Sequence, residues 1–214
     1  MFEDRKDAGK KLASALMKYK DKDVLVLAIP RGGVEVAYEV AKTLSAKLDI
    51  VVSKKLPLPE NPEAGFGAIA EDGSIFINEI ATRYLNPETI DQIKAEQVHE
   101  IRRRINVLRS GKPLTSINNK TIILVDDGIA MGSTMRAAIM LCKNKGAKKI
   151  IVASPVAGPE TVREISRLVD EMVILEKPIF FQAVAQVYVN WYDVSDSEVV
   201  QIMNIWRKRK ILKP

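Results

Sequence analysis

The 214-residue sequence predicts an α/β fold in which helices flank a doubly wound parallel sheet. Three observations predict this class. Short runs of consecutive apolar residues, at 24–29 and 122–125, are typical of strands that are buried on both faces. Segments with apolar residues at helical spacing separate such runs. Polar loops follow the runs, at the strand ends where open α/β sheets bind their ligands.

The predicted elements alternate along most of the chain. Strands are predicted at 24–29, 49–53, 122–125, 149–153 and 172–175. Helices are predicted at 4–19, 34–48, 87–109, 135–145 and 159–169. Because consecutive parallel strands are joined by right-handed crossovers, this alternation predicts one parallel sheet. Residues 54–119 interrupt it with a predicted hairpin at 68–77, which turns at Asp72 and Gly73, and with the long charged helix.

The composition limits the classes of protein and partner. A net charge of +6 suits an anionic small ligand, and no aromatic residues alternate with basic ones, so nucleic acid is not the expected partner. No apolar stretch has the length of a membrane span and the first residues are charged, so we expect a cytoplasmic protein without a membrane partner. One Cys and one His exclude an ordinary zinc site, and Cys142 is interpreted as a small core residue. The basic residues at 207–210 are interpreted as a solvated end.

The most informative motif joins a predicted strand, an acidic pair and a glycine-containing loop. The strand ends in Asp126 and Asp127, and a predicted helix begins after Ser133 and Thr134. The two hydroxyl residues can cap this helix, whose N-terminal N–H groups and dipole favour a bound phosphate. Gly132 allows the phosphate to approach the backbone, and the paired carboxylates can accept hydrogen bonds from a ribose. The motif therefore predicts a cradle for ribose 5-phosphate.

This motif closely resembles the phosphoribosyl diphosphate signature of the type I phosphoribosyltransferases, with Met131 where that family usually has threonine. The resemblance implies the type I phosphoribosyltransferase fold. It also implies the transfer of ribose 5-phosphate from phosphoribosyl diphosphate to a nitrogenous base, with release of diphosphate. Catalytic roles fall on Asp126 and Asp127. Substrate binding falls on the loop residues Gly128, Ile129, Ala130, Met131, Gly132, Ser133 and Thr134.

Two further segments belong to the predicted site. In the turn formed by Arg31, Gly32 and Gly33, the glycines allow unusual torsions, consecutive N–H groups can form an anion nest, and the arginine adds a positive charge. This turn resembles the diphosphate-binding loop of the family, in the form found in xanthine phosphoribosyltransferases. Lys54 and Lys55 stand where the second predicted strand ends, at a position where the resemblance implies a catalytic basic residue. The sequence does not choose between them.

The resemblance also predicts how the chain is organised. It implies Mg2+ as a cofactor, held largely by diphosphate, hydroxyls and water, and a homodimer. It divides the chain into a core at 1–179, including the insertion at 54–119, and a C-terminal hood with a basic tail at 180–214. Residues 56–65 are expected to be the non-helical part of a mobile loop that closes over the site. Four hood aromatics can stack on the acceptor base or pack within the protein: Phe181, Tyr188, Trp191 and Tyr192.

The acceptor and two alternative functions stay open at this point. In the family's 6-oxopurine enzymes an aspartate precedes the Thr-Gly turn, and Ala130 stands there in this chain. Ala130 argues against hypoxanthine, guanine and xanthine, whereas the Arg-Gly-Gly turn is most similar to the xanthine enzymes. The alternatives to a transferase are a non-catalytic regulator that binds a phosphoribosyl ligand and a hydrolase of a related ribose phosphate. Glu71, Asp72 and the arginines at 102–104 could reach the site from the insertion, although the arginines, like His99, are interpreted as an exposed charged helix face.

Overall fold

The computed structural model of the protein describes residues 1–211, without the side chains of Glu63, Lys210 and Ile211. The helices are α1 (Arg5–Ala15), α2 (Gly33–Leu44), α3 (Glu79–Thr82), α4 (Pro87–Arg109), α5 (Ser133–Asn144), α6 (Pro159–Ser166) and α7 (Asp196–Ile211). The strands are β1 (Val24–Ala28), β2 (Lys47–Ile50), β3 (Ser53–Leu58), β4 (Asn61–Ala70), β5 (Ile75–Ile77), β6 (Thr121–Val125), β7 (Lys149–Val156) and β8 (Glu171–Glu176). Among these residues, no helix combines the length and apolarity that crossing a membrane requires.

The strands form two sheets. A five-stranded sheet has the order β2-β1-β6-β7-β8 and is parallel throughout. A separate antiparallel sheet has the order β3-β4-β5 and contains the predicted hairpin at 68–77. The predicted fold class, a parallel sheet flanked by helices with an inserted hairpin and helix, is confirmed.

The central strands are buried because helices cover both faces of the parallel sheet. Along β1, Val24, Val26 and Ala28 pack in one cluster with residues of α1, α2 and α7. The alternating residues Leu25 and Leu27 pack in a second cluster with residues of α5. Continuous apolar runs are therefore needed in these strands, since both faces of the pleat are removed from water.

The second predicted strand and the helix before it have different boundaries in the structure. Residues 49–53 are predicted as one strand, but β2 ends at Ile50 and Ser53 already begins β3 in the other sheet. Val51 and Val52 between them are fully buried, so hydrophobicity alone does not mark where the first sheet ends. The helix ends at Leu44 rather than at residue 48, because Ser45 adopts the left-handed conformation that terminates α2.

The basic residues at 207–209 have exposed or half-buried side chains, and their backbone belongs to the end of α7. This helix packs against α2 and α4. Its side chains Val199, Met203 and Trp206 are buried, and the Trp206 ring lies edge-on against Tyr38 with 5.7 Å between ring centroids. The apolar spacing is helical, but the neighbouring charges hide it in the sequence. Residues 212–214, which include Lys213 of the predicted tail, lie outside the described part of the chain.

Candidate active site

The loops that follow β1 and β6 begin side by side. Ala28 pairs with Val125 at the ends of these adjacent parallel strands, and the Ile29 N–H donates to the Val125 carbonyl at 2.9 Å. The chain continues from β1 to β2 on one side and from β6 to β7 on the other. The crevice between β1 and β6 is therefore a topological switch point, where open α/β sheets bind ligands.

Asp126 and Asp127 occupy this crevice directly after β6. The Asp127 N–H donates to Asp126 Oδ1 at 2.9 Å, which fixes the first carboxyl beside the second. Removal from water and then the negative charge of Asp127 raise the pKa of Asp126 well above its ordinary value. The structure thus keeps the two predicted acids together, with a proton held more tightly on Asp126 than on an exposed aspartate.

The turn from Arg31 to Gly33 packs directly onto the acidic pair. A Cβ atom added to Gly32 would collide with Asp127 Oδ2, and one added to Gly33 would lie 2.9 Å from the Asp126 Cα. Gly32 has ordinary helical torsions, φ −59° and ψ −33°, and the peptide bond between Pro30 and Arg31 is cis. At Gly32, glycine is therefore required for close approach to the acids and not for the unusual torsions that the sequence predicts.

The loop after the acidic pair presents its backbone at the start of α5. Gly132 has φ +75° and occupies the cap position, and it makes no side-chain capping hydrogen bond. The prediction that Ser133 and Thr134 cap this helix is wrong, because both residues lie inside its first turn. The first N–H groups of α5 are consequently not capped by the loop's own hydroxyls, which favours an anionic ligand there.

Other loop residues anchor this segment to the protein. Ile129 is buried, and its N–H donates to the Val156 carbonyl at 2.9 Å. The Thr161 hydroxyl donates to the Ala130 carbonyl at 2.7 Å. Gly128 packs against the hood, since a Cβ there would collide with the side chain of Val184. The loop is therefore held from its outer side, with its inner side open to the crevice.

A cavity of about 210 Å³ joins the loop to the acidic pair. Its lining comprises one lysine, one acid, one glycine of β4 and the whole loop: Lys55, Asp126, Gly65 and residues 128–134. The structure thus brings the predicted loop residues and one of the two predicted acids together with one predicted lysine. Asp127, Arg31 and Lys54 do not line this cavity.

The two candidate lysines point in different directions, because neighbouring residues of a strand face opposite sides. Lys55 borders the cavity. Lys54 is half-buried on the other side, where its removal from water and the positive charges of Arg104, Arg31 and Arg103 lower its pKa. Lys54 therefore lies near Arg31. Lys55 lies beside residues 128–134, which we call the phosphate-facing loop.

Arg31 joins a network of ion pairs that the motif does not reveal. Asp196, at the start of α7, lies 3.9 Å from Arg31 and 3.0 Å from Arg103. Glu100 accepts from Arg103 at 2.7 Å and from Arg104 at 3.0 Å, and these hydrogen bonds lower the pKa of Glu100 to about 2. The arginines of α4 thus approach Arg31 and Lys54 rather than forming only an exposed helix face.

An unpredicted residue, Arg5, contacts the site. Its Nε donates to Asp127 Oδ2 at 2.7 Å, and its Nη1 donates to the Tyr192 carbonyl at 2.9 Å. The guanidinium lies 4.0 Å from the centroid of the Trp191 ring and 3.6 Å from Glu35. We call these five residues the Arg5 clamp. Arg5 precedes Asp127 by 122 residues and belongs to no recognisable motif, so the sequence gives no signal for the contact.

The hood aromatics therefore have two different roles. Trp191 and Tyr192 surround Arg5, and the Tyr188 hydroxyl donates to the Asp127 carbonyl at 2.6 Å. Burial raises the pKa of Tyr188 far above its ordinary value, which keeps that hydroxyl protonated. Phe181 instead lines a second cavity of about 570 Å³.

This second cavity lies on the other side of Ala130, Met131 and Ser133, which border both cavities. Phe76 of β5 and Phe181 of the hood contribute aromatic rings to its lining. The remaining lining is mixed, with amides, a hydroxyl and an Arg136–Glu164 ion pair.

Several residues singled out in the sequence have structural positions away from the acids. Glu71 forms a buried ion pair with Arg109, and Asp72 accepts from the Ser74 N–H at 3.0 Å in the hairpin turn. His99 is exposed, as predicted. Cys142 is fully buried, and burial raises its pKa to about 12, which confirms a core role. Within residues 1–211, no group of three or more His, Cys, Asp or Glu side chains is arranged to hold a metal ion.

Comparisons with known proteins point to one family. A family model described as a phosphoribosyl transferase domain matches residues 2–190. A Mycobacterium tuberculosis protein named as a candidate phosphoribosyl transferase is 40% identical over 206 residues, which are 95% of this chain and 46% of that protein. The chain thus spans about half the length of this relative.

Two further similarities concern an enzyme and a solved structure. The uracil phosphoribosyltransferase of Clostridioides difficile is 31% identical over 151 residues, which are 68% of this chain and 63% of that enzyme. A Thermus thermophilus protein of known crystal structure is 36% identical to this chain in sequence. The two structures superpose with a TM-score of 0.81, and the match covers 96% of this chain and 98% of the other.

Proposed function

This chain belongs to the phosphoribosyltransferase family, and we propose that it transfers ribose 5-phosphate from phosphoribosyl diphosphate to an uncharged nitrogenous base. The observation that carries the proposal is the cavity that Asp126, Lys55 and the loop at 128–134 enclose. It combines uncapped helix N–H groups for a phosphate with a carboxyl group for the ribose hydroxyls. Homodimer formation and a cytoplasmic location remain predictions.

The proposed reaction breaks the bond between the ribose C1 and a diphosphate oxygen. The electron pair of that bond leaves with diphosphate, and the lone pair of a base nitrogen forms the new bond to C1. A proton carried by that nitrogen is then lost. The 5-phosphate is held by the N–H groups of Gly132, Ser133 and Thr134 at the start of α5, which keeps C1 in place while the bonds exchange.

The departing diphosphate gains negative charge, which the cationic groups on the β1 side stabilise. Arg31 and Lys54 supply positive charge next to the turn, with Arg103 and Arg104 behind them. Because fixed cations need no rearrangement when the bond breaks, they favour the transition state over the intact substrate. Asp126 and Asp127, onto which this turn packs, orient the ribose hydroxyls.

A magnesium ion would neutralise part of the diphosphate charge and polarise the breaking bond. The described side chains offer no cluster of three acidic or His ligands. This donor set does not fit a magnesium ion that is coordinated by protein side chains alone. It fits an ion held mainly by substrate oxygens and by water molecules, since Mg2+ loses its bound water reluctantly.

The acceptor base is proposed to enter the 570 Å³ cavity from the other side of the loop. Phe76 and Phe181 offer apolar ring surfaces for a planar base. The lining contains two acids, Glu160 and Glu164, and one cation, Arg136, so it has an excess negative charge and disfavours carboxylated bases. Ala130, which borders both cavities, lacks the carboxylate that serves 6-oxopurines in the family.

Calorimetric titration of phosphoribosyl diphosphate with Mg2+ tests the proposal directly. We expect binding by the wild type and at least a hundredfold loss in the Asp126→Asn/Asp127→Asn variant, since the ribose contact of Asp126 and the ion pair between Asp127 and Arg5 are both weakened. Diphosphate release is then measured with a panel of neutral and carboxylated bases. A folded wild type that does not bind, or that releases diphosphate equally without any base, would contradict the transferase and in the second case indicate a hydrolase.

A further inference from the structure

Arg5 constrains the carboxylate of Asp127. Its Nε donates a hydrogen bond to Asp127 Oδ2 at 2.7 Å, and the Tyr188 hydroxyl donates one to the carbonyl of the same residue at 2.6 Å. Side chain and main chain of Asp127 are thus fixed by groups from α1 and from the hood. An aspartate of a binding site is rarely free to move once both of its ends are held by buried hydrogen bonds.

Arg5 is itself fixed by the protein around it. Its side chain is only 3% exposed, and its charge is balanced by Asp127 and by Glu35 at 3.6 Å. The Trp191 ring covers the guanidinium, and the Tyr192 carbonyl accepts from its Nη1 at 2.9 Å. The Tyr192 hydroxyl in turn donates to Glu35 at 2.6 Å. Burying a charged group is costly, so these partners are needed to keep it in place.

The Arg5 clamp also contacts the turn at Arg31–Gly33. A Cβ atom on Gly32 would lie 2.7 Å from Arg5 Nε and would also collide with Asp127 Oδ2. No space separates the turn, the acid and the guanidinium. A displacement of Arg5 would therefore move Asp127 and the backbone of the turn together, although Arg5 itself does not line the 210 Å³ cavity.

We propose that Arg5 is a positioning residue for phosphoribosyl diphosphate: it holds Asp127 and the turn at Arg31–Gly33 in the arrangement that the ribose and diphosphate require. This inference rests on the proposed function. It divides the acidic pair, because Asp126 borders the cavity and meets the ligand, whereas Asp127 is oriented through Arg5. It also gives the first helix and the hood a common task, since Arg5 of α1 is held by Trp191 and Tyr192 of the hood.

The test is a double-variant cycle on the binding of phosphoribosyl diphosphate with Mg2+, measured by calorimetry. Arg5→Gln is expected to raise the Kd about tenfold, the loss that corresponds to one hydrogen bond to a charged group. Arg5→Lys keeps the charge without the planar fork and is expected to lie between that variant and the wild type. In the Asp127→Asn background, Arg5→Gln should cause little further loss, because residues that act through one contact are not additive.

Lys6→Gln is the matched control, because it removes the same charge from the next, exposed residue of α1. Its Kd should stay within about twofold of the wild type, as expected for an exposed charge. If Arg5→Gln does not fold, the cycle is run with Arg5→Lys. Additive losses, or a wild-type Kd in the folded Arg5 variants, would show that Arg5 only stabilises the fold and would overturn the inference. If the wild type binds no phosphoribosyl diphosphate, that result would instead contradict the proposed function, and this inference would fail with it.

Discussion

The phosphate-facing loop and the Arg5 clamp build the same site in opposite ways. The loop is continuous, from residue 128 to 134, and it works through backbone N–H groups, a left-handed glycine and a helix start. The clamp assembles side chains from α1, α2, the end of β6 and the hood. One region can be recognised as a motif because its geometry is local. The other depends on contacts between residues that are far apart in the chain.

The two regions meet at Asp126 and Asp127, which explains why these acids are not equivalent. Asp126 borders the cavity beside the loop, and Asp127 pairs with Arg5. Variants that affect one region should therefore leave the other largely intact, unless they alter the acids themselves. The following predictions separate the regions in order of decreasing effect.

Among these variants, Gly132→Ala should cause the largest loss of ligand binding by the phosphate-facing loop. Its positive φ costs a non-glycine residue about 1–2 kcal/mol, and the new Cβ would lie 2.8 Å from Ile165 Cδ1. We expect at least a tenfold rise in the Kd for phosphoribosyl diphosphate, measured by calorimetry, together with a lower free energy of unfolding in urea.

Gly73→Ala is the control for backbone strain, because Gly73 has φ +88° in the hairpin turn and a Cβ added there would meet no atom within 4 Å. It should lower stability by a similar amount without changing the Kd. Equal losses of affinity in the two variants would mean that strain, and not the geometry of the loop, governs binding.

Phe181→Leu should affect the acceptor and not the ribose phosphate, since Phe181 lines the larger cavity and takes no part in the Arg5 clamp. Replacing the ring removes a stacking surface worth about 1 kcal/mol or more, so the KM for the base should rise about fivefold. Steady-state diphosphate release measures this change. Phe180→Leu, at an exposed neighbouring residue, should leave the KM unchanged. A KM that responds to both variants, or to neither, would argue against a base in this cavity.

The acidic pair should make stability depend on pH, and this is the smallest expected effect. Burial and the charge of Asp127 raise the pKa of Asp126, so the folded protein binds a proton that the unfolded chain releases. Stability should therefore fall as pH rises from the ordinary aspartate pKa towards the raised folded value.

Asp126→Asn cannot titrate, so its Tm should decrease less than that of the wild type between pH 5 and pH 8, both chosen above the ordinary aspartate pKa of about 4. Asp91→Asn, at a side chain that is 76% exposed, should follow the wild type in the same scanning calorimetry series. A wild type and an Asp126→Asn variant with parallel pH profiles would show that burial does not perturb the carboxyl.

The fold class and the local half of the site could be predicted from the amino-acid sequence. Apolar runs separated by helical periodicity predict the parallel sheet, because strands covered on both faces leave no polar alternation. The acidic pair and the glycine-containing loop predict the cavity at the end of β6, because a strand, a turn and a helix start follow one another within a few residues. The capping prediction at Ser133 and Thr134 failed by one or two residues, since Gly132 can occupy the cap position without a side chain.

The side chains that complete the site could be identified only in the folded protein. The pleat of β3, which begins at Ser53 in a second sheet, separates Lys54 from Lys55, whereas the sequence places both lysines at the end of one strand. Tertiary packing assigns Trp191 and Tyr192 to a buried arginine and leaves Phe181 to a cavity. These outcomes depend on which distant segments share a surface, and burial and charge pairing between such segments leave no periodic pattern in the chain.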